Sequence, residues 1–467
     1  MRILLINPPS SFAFRNITGF CVPPLGLAYL AAVLEKHGYD VKIIDGVTEN
    51  LTYREISKII SKYCPDLVGI TATTPTIYDA YIVARIAKHH GVKVVIGGPH
   101  ATFLDTDVLK ECPYIDFVVR GEGELTLLEL VKALEKRKPL SHVLGLTWRD
   151  RDGRIKRNSR RPYILNLDDL PMPAYHLLPM DKYQVGEIRY ATIMTSRGCP
   201  FKCTFCASSR LFGKRYRWHS AERVLDEIEV LVNKYKVKSI EIIDDTFTLN
   251  RKRAIKIAKG ILKRGLDIIW SCSSRVDTID KELAEILKKS GCSVIYLGIE
   301  SGSQRILNKY KKGVTIDQIT RAVKILKEAK LEILGSFILG APDETIDEAR
   351  KTLSFSLKLD LDYAQYSILT PYPGTEIYEK AEKKGLLLTK NWRLYDALHP
   401  VLKTLIPPRK LRSLVRKAYL IFYSRITYIF NQLKKGHAFL VNKIIKNVIR
   451  YILSKISRKN EITSSYQ

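Results

Sequence analysis

Twice along the chain, short apolar runs alternate with longer amphipathic helical patterns, and this alternation narrows the fold more than any other feature. A strand followed by a crossover helix, repeated, builds a parallel sheet covered on both faces. The first series places strands at 2–6, 41–44, 67–71, 92–96 and 117–119, with helical stretches such as 25–37 and 77–90 between them. Five such units predict a doubly wound α/β domain over residues 1–142. The second series places strands at 190–195, 239–243, 268–272, 294–299, 333–339 and 364–369, separated by helical patterns such as 221–235 and 251–264. Six units are too few to close an eight-fold barrel and predict a partial, open (β/α)6 barrel over 186–395. Between the two series, Asp150-Arg151-Asp152-Gly153 signals a hairpin turn and Leu170-Pro171-Met172-Pro173 breaks regular structure, so 143–185 is read as hairpin and linker.

In folds of this kind chemistry collects at the C-terminal ends of the strands. In the second series those ends read Ser196-Arg197-Gly198-Cys199, Asp244-Asp245, Ser273-Ser274-Arg275, Glu300-Ser301-Gly302, Gly340-Ala341-Pro342 and Thr370-Pro371-Tyr372. Strand ends meet polar loops in any protein, yet six consecutive polar or Gly/Pro-rich ends on one rim form a coherent set.

Three of the eight cysteines, Cys199, Cys203 and Cys206, fall within eight residues at the first of these ends, and the other five are scattered. That is no disulfide framework. Thiolates ligate iron–sulfur clusters, normally four to a cubane, so three closely spaced cysteines leave one iron open for a substrate or cofactor. The alternative is structural zinc, which usually takes four ligands in two separated pairs.

The Cys199-x-x-x-Cys203-x-x-Cys206 spacing, in a Gly/Pro-bearing loop after a strand, resembles that of the radical S-adenosylmethionine enzymes. The resemblance implies a [4Fe–4S] cluster whose open iron chelates the amino and carboxylate groups of S-adenosylmethionine, and a one-electron cleavage that releases a 5′-deoxyadenosyl radical. It further implies that Phe205, Asp244, Asp245, Ser273, Arg275, Glu300 and Ser301 surround S-adenosylmethionine. Asp244-Asp245 stands where the family carries a glycine-glycine-glutamate motif, and Arg275 suits a carboxylate. The alternative reading of Glu300 is a carboxylate satisfying a helix N-terminus.

The first series resembles the flavodoxin-like cobalamin-binding domain that often precedes a radical core, through Asn7-Pro8-Pro9, Thr71-Ala72-Thr73-Thr74, Gly97-Gly98-Pro99-His100 and Val119-Arg120-Gly121-Glu122-Gly123-Glu124. Cobalamin is therefore expected at Pro9, Thr71, Thr73, Thr74, Gly97, Gly98, Pro99 and Glu122. Glycines after a strand let a ligand approach the backbone closely. Where the Asp-x-His-x-x-Gly element with its axial histidine would stand, this chain reads Asn7-Pro8-Pro9-Ser10-Ser11, so that loop offers cobalt no histidine. His100 reads as a polar loop residue rather than a cobalt ligand.

The net charge of +29 is concentrated: residues 401–467 hold 15 Lys and Arg against one acid, Glu461. A basic tail points to an anionic partner. Across 439–456 apolar residues fall on one helical face and Lys443, Lys446 and Arg450 mostly on another, which predicts, within a basic helical region at 396–467, an amphipathic helix lying in a membrane interface rather than a span. Each basic residue there adds about 1 kcal/mol at an anionic leaflet. The competing reading is a helical lid on the barrel. No leader pattern precedes the first strand, so a cytoplasmic location, peripheral at the inner membrane face, is expected.

Taken together the chain is similar to cobalamin-binding radical S-adenosylmethionine proteins such as hopanoid methylases and archaeal tetraether ring synthases. That resemblance implies hydrogen abstraction from an unactivated carbon, followed by C-methylation or C–C bond formation, with a ferredoxin or flavodoxin as electron donor. A membrane lipid is the expected substrate. RNA modification, peptide or small-metabolite methylation and a non-catalytic cobalamin sensor are the alternatives; no recognisable RNA-binding module supports nucleic acid as a partner.

Overall fold

The computed structural model describes residues 1–10 and 21–434. The amphipathic pattern at 439–456 and most of the basic tail lie outside the described residues.

The first sheet is built from β1 (Arg2–Asn7), β2 (Asp40–Asp45), β3 (Leu67–Thr71), β4 (Lys93–Gly97), β5 (Phe117–Val119), β6 (Leu146–Arg149) and β7 (Ile155–Arg157), in the order β2-β1-β3-β4-β5-β6-β7. The first five strands are parallel, giving the expected doubly wound plan. In β1, Ile3, Leu4, Leu5 and Ile6 are all buried, because helices cover both faces of the sheet. The expected hairpin forms, but it is no mere connection. β6 pairs antiparallel with β5 and β7 with β6, so the hairpin extends the first sheet and covers what would otherwise be an open edge.

The second sheet comprises β8 (Gln184–Val185), β9 (Ile188–Ile193), β12 (Ser239–Ile242), β13 (Ile269–Ser274), β14 (Cys292–Glu300), β15 (Glu332–Leu339) and β16 (Tyr363–Ile368). Two short strands, β10 (Ser196–Arg197) and β11 (Arg217–Trp218), pair separately. Strand β9 and strands β12 to β16 run parallel, the six units expected, and β8 adds antiparallel at one edge. Helices start where their caps dictate: Ser220 accepts from Arg223 N–H at the head of Ala221–Tyr235, and Thr315/Gln318 and Thr345/Glu348 form capping boxes at Ile316–Glu328 and Ile346–Lys358.

The open edge at β16 is sealed by helix Pro408–Tyr423. Tyr419 Oη accepts from Tyr366 N–H (3.1 Å) and donates to Tyr366 O (3.2 Å), while Tyr423 Oη accepts from Ala364 N–H (3.1 Å) and donates to Ala364 O (2.8 Å). Four residues of helix rise about 6 Å and two residues of strand about 6.6 Å, so a Tyr pair at i, i+4 meets alternate residues of an edge strand. Residues 408–423, beyond the boundary drawn at 395, thus pack on the open edge of the barrel.

Candidate active site

Strand β9 leads into β10, whose pairing with β11 pinches the intervening segment into a closed loop. Gly198 opens that loop at φ +90°, and a Cβ there would stand 2.3 Å from Arg215 O, so only glycine fits. Cys199 N–H donates to Gly213 O (3.1 Å), and Thr204 N–H donates to Tyr310 O (2.9 Å). Ile377 N–H donates in turn to Thr204 O (3.1 Å). The loop carrying Cys199, Cys203 and Cys206 is thus tied to the barrel at several points. All three thiols are half-buried, and burial raises their pKa, that of Cys199 to about 11. The charges of Lys312 and Arg275 pull Cys203 the other way.

Three free thiols carried on one loop suit a cubane, in which each cysteine takes a different iron. Nearby cations offset the negative charge of such a group, and the remaining described cysteines lie elsewhere, Cys272 and Cys292 buried in β13 and β14.

The expected S-adenosylmethionine residues separate into three kinds. Phe205, packed edge-on against Tyr310 (5.2 Å), and Glu300 line a cavity of roughly 230 Å³ with Gln365, Thr370 and Tyr372. Asp245 takes a hydrogen bond from Ser208 Oγ (2.6 Å), and burial, with the neighbouring Asp244 charge, raises its pKa. Ser273 is half-buried on β13. Arg275 stacks over Phe201 of the cysteine loop (3.5 Å), clasps Asp277 (2.9 Å) and donates to Lys312 O (2.8 Å).

Asp244 and Ser301 depart from expectation. The Asp244 carboxylate accepts from the N–H and Oγ1 of Thr195 and the N–H and Oγ of Ser196, all at 2.5–3.0 Å, so it holds the approach to the cysteine loop and offers no free oxygen. Ser301 is fully buried against Thr352 Oγ1 (3.0 Å), joining β14 to helix Ile346–Lys358.

Lys312 was not legible in the sequence. It is buried, its Nζ lies 2.7 Å from Glu300 Oε1, and a side chain at Gly298 would collide with it. Glu300 itself adopts φ +67°, a left-handed backbone that a non-glycine residue keeps only where its surroundings impose it.

The first domain carries a second cavity of roughly 230 Å³ at the C-terminal ends of its strands. Of the residues expected at cobalamin, Thr71, Gly97, Gly98, Pro99 and Glu122 line it. Gly98 sits at φ +102° and its Cβ would fall 2.5 Å from Ala72 O; a Cβ on Gly69 would fall 2.6 Å from Leu5 Cδ2. Those two glycines let the cleft wall pack closely, whereas a Cβ on Gly26 or Gly121 would meet no protein atom within 4 Å, and an apolar cleft so lined fits the bulky tail of cobalamin. Three of the expected residues do not line this cavity. Thr73 is exposed and caps a turn with Thr76, Thr74 is turned toward His100 Nδ1 (3.3 Å), and Pro9 accepts from Tyr53 Oη (3.3 Å). His100 is buried, packed edge-on against Trp392 (5.0 Å), and desolvation lowers its pKa to about 4. No histidine is among the described residues lining the cavity.

The barrel domain completes this cavity with Met194, Arg197, Leu211 and Phe212. Arg197 is the hinge of the arrangement. It lies two residues before Cys199, reaches Glu124 Oε1 at 2.6 Å and Glu122 Oε1 at 3.5 Å, and stacks over Tyr29 (5.3 Å). Arg217 binds Glu122 Oε1 at 2.7 Å, and Ile164 N–H donates to its other oxygen at 2.8 Å. Burial works to raise the Glu124 carboxyl, but the Arg197 charge and hydrogen bond outweigh it and hold the group below its ordinary range. The Glu122 carboxylate is thus engaged in joining the domains.

A glycine-lined cleft on a doubly wound domain, facing a three-cysteine loop on a partial barrel, defines a radical S-adenosylmethionine enzyme with a cobalamin-binding domain. Residues 193–356 match the radical SAM superfamily and residues 15–131 the B12 binding domain. An uncharacterized methyltransferase of Pyrococcus horikoshii is 50% identical over 96% of this chain and 98% of its own length. The anaerobic magnesium-protoporphyrin IX monomethyl ester cyclase of Rubrivivax gelatinosus is 33% identical over 86% of this chain and 74% of its own. Among solved structures, the cobalamin-dependent S-adenosylmethionine radical enzyme OxsB, with aqua-cobalamin and S-adenosylmethionine bound, shares the fold at TM-score 0.75 and 19% identity, over 97% of this chain and 71% of that one. The chain belongs to the cobalamin-binding radical SAM methyltransferase family, whose cofactors are a [4Fe–4S] cluster, S-adenosylmethionine and cobalamin.

Proposed function

We propose that this enzyme methylates an unactivated carbon of a membrane lipid. The observation that carries the methyl-transfer reading is the Arg197 segment, which lines the cobalamin cleft with its side chain and leads directly into Cys199. The two cofactor sites therefore meet at one junction, where a single substrate carbon can face both. When bound, the cluster and S-adenosylmethionine supply a hydrogen-abstracting radical, and cobalamin supplies the methyl group. The chain's own residues position these groups. Arg197 and Arg217 lock the domains through Glu122 and Glu124, Lys312 and Arg275 place positive charge beside Cys203, and Phe205 and Tyr372 line the barrel cavity.

The lipid reading is supported by the last described helices. Ile421, Ile426, Phe430 and Leu433 are exposed there, and Arg409, Lys410, Arg412, Arg416 and Lys417 are exposed nearby. Apolar and basic residues together suit an anionic lipid surface. No helix among the described residues is long and apolar enough to cross a membrane.

The test is anaerobic reconstitution with iron and sulfide, then incubation with S-adenosylmethionine, methylcobalamin, a reductant and a lipid extract. Expected products are 5′-deoxyadenosine, S-adenosylhomocysteine and a methylated lipid, with Cys203→Ala abolishing 5′-deoxyadenosine. Formation of 5′-deoxyadenosine without S-adenosylhomocysteine would instead assign ring closure or coupling. Methylation of a water-soluble extract but not of lipid would remove the lipid reading and leave methyl transfer standing.

A further inference from the structure

Beside the cobalamin cleft lies a smaller cavity of roughly 160 Å³, sharing Gly121 and Glu122 with it. Five guanidinium groups among the described residues line it: Arg120, Arg157, Arg160, Arg161 and Arg210. They come from three parts of the fold. Arg120 follows β5, the next three follow from β7 into the connecting segment, and Arg210 belongs to the barrel just after Cys206.

Such a concentration is costly unless something negative occupies the centre. The carboxylates present do not fill that role. Asp105 serves Arg157 (2.7 Å) from outside the cavity, Arg161 pairs with Glu129, and Arg210 pairs with Glu379. Glu122 lines the cavity, but its oxygens are taken by Arg217, Arg197 and Ile164 N–H. Arg160 meets Tyr163 Oη and Arg210 O and lies over the Tyr163 ring (4.7 Å), with no carboxylate among its described contacts. Arg120 is the telling member. Its side chain is 6% exposed and its Nη2 donates to Leu146 O (3.3 Å) and to Asn158 O, but its Nε makes no hydrogen bond and stands 3.5 Å from Asp105 Oδ2, and Arg157 and Arg160 both repel its charge.

We infer that this cavity is an oxyanion site, built to hold a phosphate or carboxylate group at the junction of the two domains. Guanidinium forks match the geometry of such groups and bind them in pairs. The volume suits one oxyanion group and its attachment, not a whole lipid or corrin. Two molecules could bring that group: the substrate, or cobalamin through the phosphate of its nucleotide loop. The inference does not rest on a lipid substrate, since an anionic handle would serve whichever carbon is methylated.

The test uses the full chain with its cluster reconstituted, in low-salt buffer free of phosphate. Pyrophosphate is the probe, titrated calorimetrically into protein without corrinoid, loaded with cobalamin, or loaded with cobinamide, which lacks the nucleotide-loop phosphate. Saturable binding is expected, weakened about tenfold or more in Arg157→Gln/Arg160→Gln. These two side chains are exposed at the cavity mouth, so the fold survives their loss, which far-ultraviolet circular dichroism verifies. Arg350→Gln/Lys351→Gln, at exposed helix positions outside the cavity lining, removes the same two charges and leaves binding unchanged. Binding that persists with cobalamin in place assigns the site to the substrate. Binding lost with cobalamin but kept with cobinamide assigns it to the cofactor phosphate. Absence of saturable binding to the wild-type protein, or equal weakening by Arg350→Gln/Lys351→Gln, overturns the site.

Discussion

His100 and Arg197 show what single buried residues contribute here. Desolvation depresses the His100 pKa from its ordinary value near 6.5 to about 4. Between those values the unfolded chain binds a proton that the folded chain refuses, so stability is present above pH 6.5 and is lost as the pH falls toward 4. The slope is about 1.4 kcal/mol per pH unit at most. His100→Leu should remove its share of that slope and leave the share of His219, whose pKa burial likewise lowers to about 4, read from urea midpoints at pH 4.5, 5.5 and 7. An unaltered slope would place the acid sensitivity elsewhere. Arg197 is 3% exposed and its charge is matched by Glu124. Arg197→Met strands that carboxylate and should cost about 3–5 kcal/mol, of which Arg197→Met/Glu124→Leu should recover a large part. Chemical denaturation of both variants decides whether the pair acts as a unit.

Among the elements, helix Pro408–Tyr423 carries the clearest prediction. Each of its two tyrosine hydroxyls serves one N–H and one C=O of β16. Tyr419→Phe and Tyr423→Phe leave those groups without partners while keeping the rings, so each should destabilise by about 1–3 kcal/mol. Hydrogen exchange should quicken at Ala364 and Tyr366 before any other part of the sheet. Uniform quickening would mean that the helix is incidental to the edge. The cysteine loop is secured by the same logic of local pairing. Its β10–β11 neck and the four hydrogen bonds on Asp244 hold the thiols before any cluster is present.

At the scale of the whole molecule, the two domains share one binding surface. Phe212 belongs to the barrel yet lines the cobalamin cleft of the first domain. Phe212→Ala should therefore weaken cobalamin binding by about tenfold, the loss expected from removing a large apolar contact, while the cluster absorbance stays intact. Equilibrium binding of hydroxocobalamin measures the first and the visible spectrum the second. Unchanged affinity would mean that the first domain binds cobalamin alone.

Much of this was written in local pattern. The six barrel strands lie within a few residues of their expected places because period-2 and period-3.6 hydrophobicity are properties of contiguous segments. The cysteine triad was legible for the same reason, since its three thiols share one short loop. Asp244, Thr73, Thr74 and Ser301 were placed less well. Motif position shows that a polar residue stands near a site, but not whether its hydrogen bonds are already taken by neighbours such as Thr195, Thr76, His100 and Thr352.

The amino-acid sequence by itself determined the order of strands and helices, the triad that a cluster requires, and the glycines that line the cobalamin cleft. Only the tertiary structure decided that Arg197 meets Glu124, 73 residues away, that Lys312 reaches Glu300, and that five arginines from three segments surround one cavity. Spacing along one loop is set by covalent geometry and survives in the sequence. Charges that meet across domains are brought together by packing alone, and nothing in the local sequence of either partner names the other.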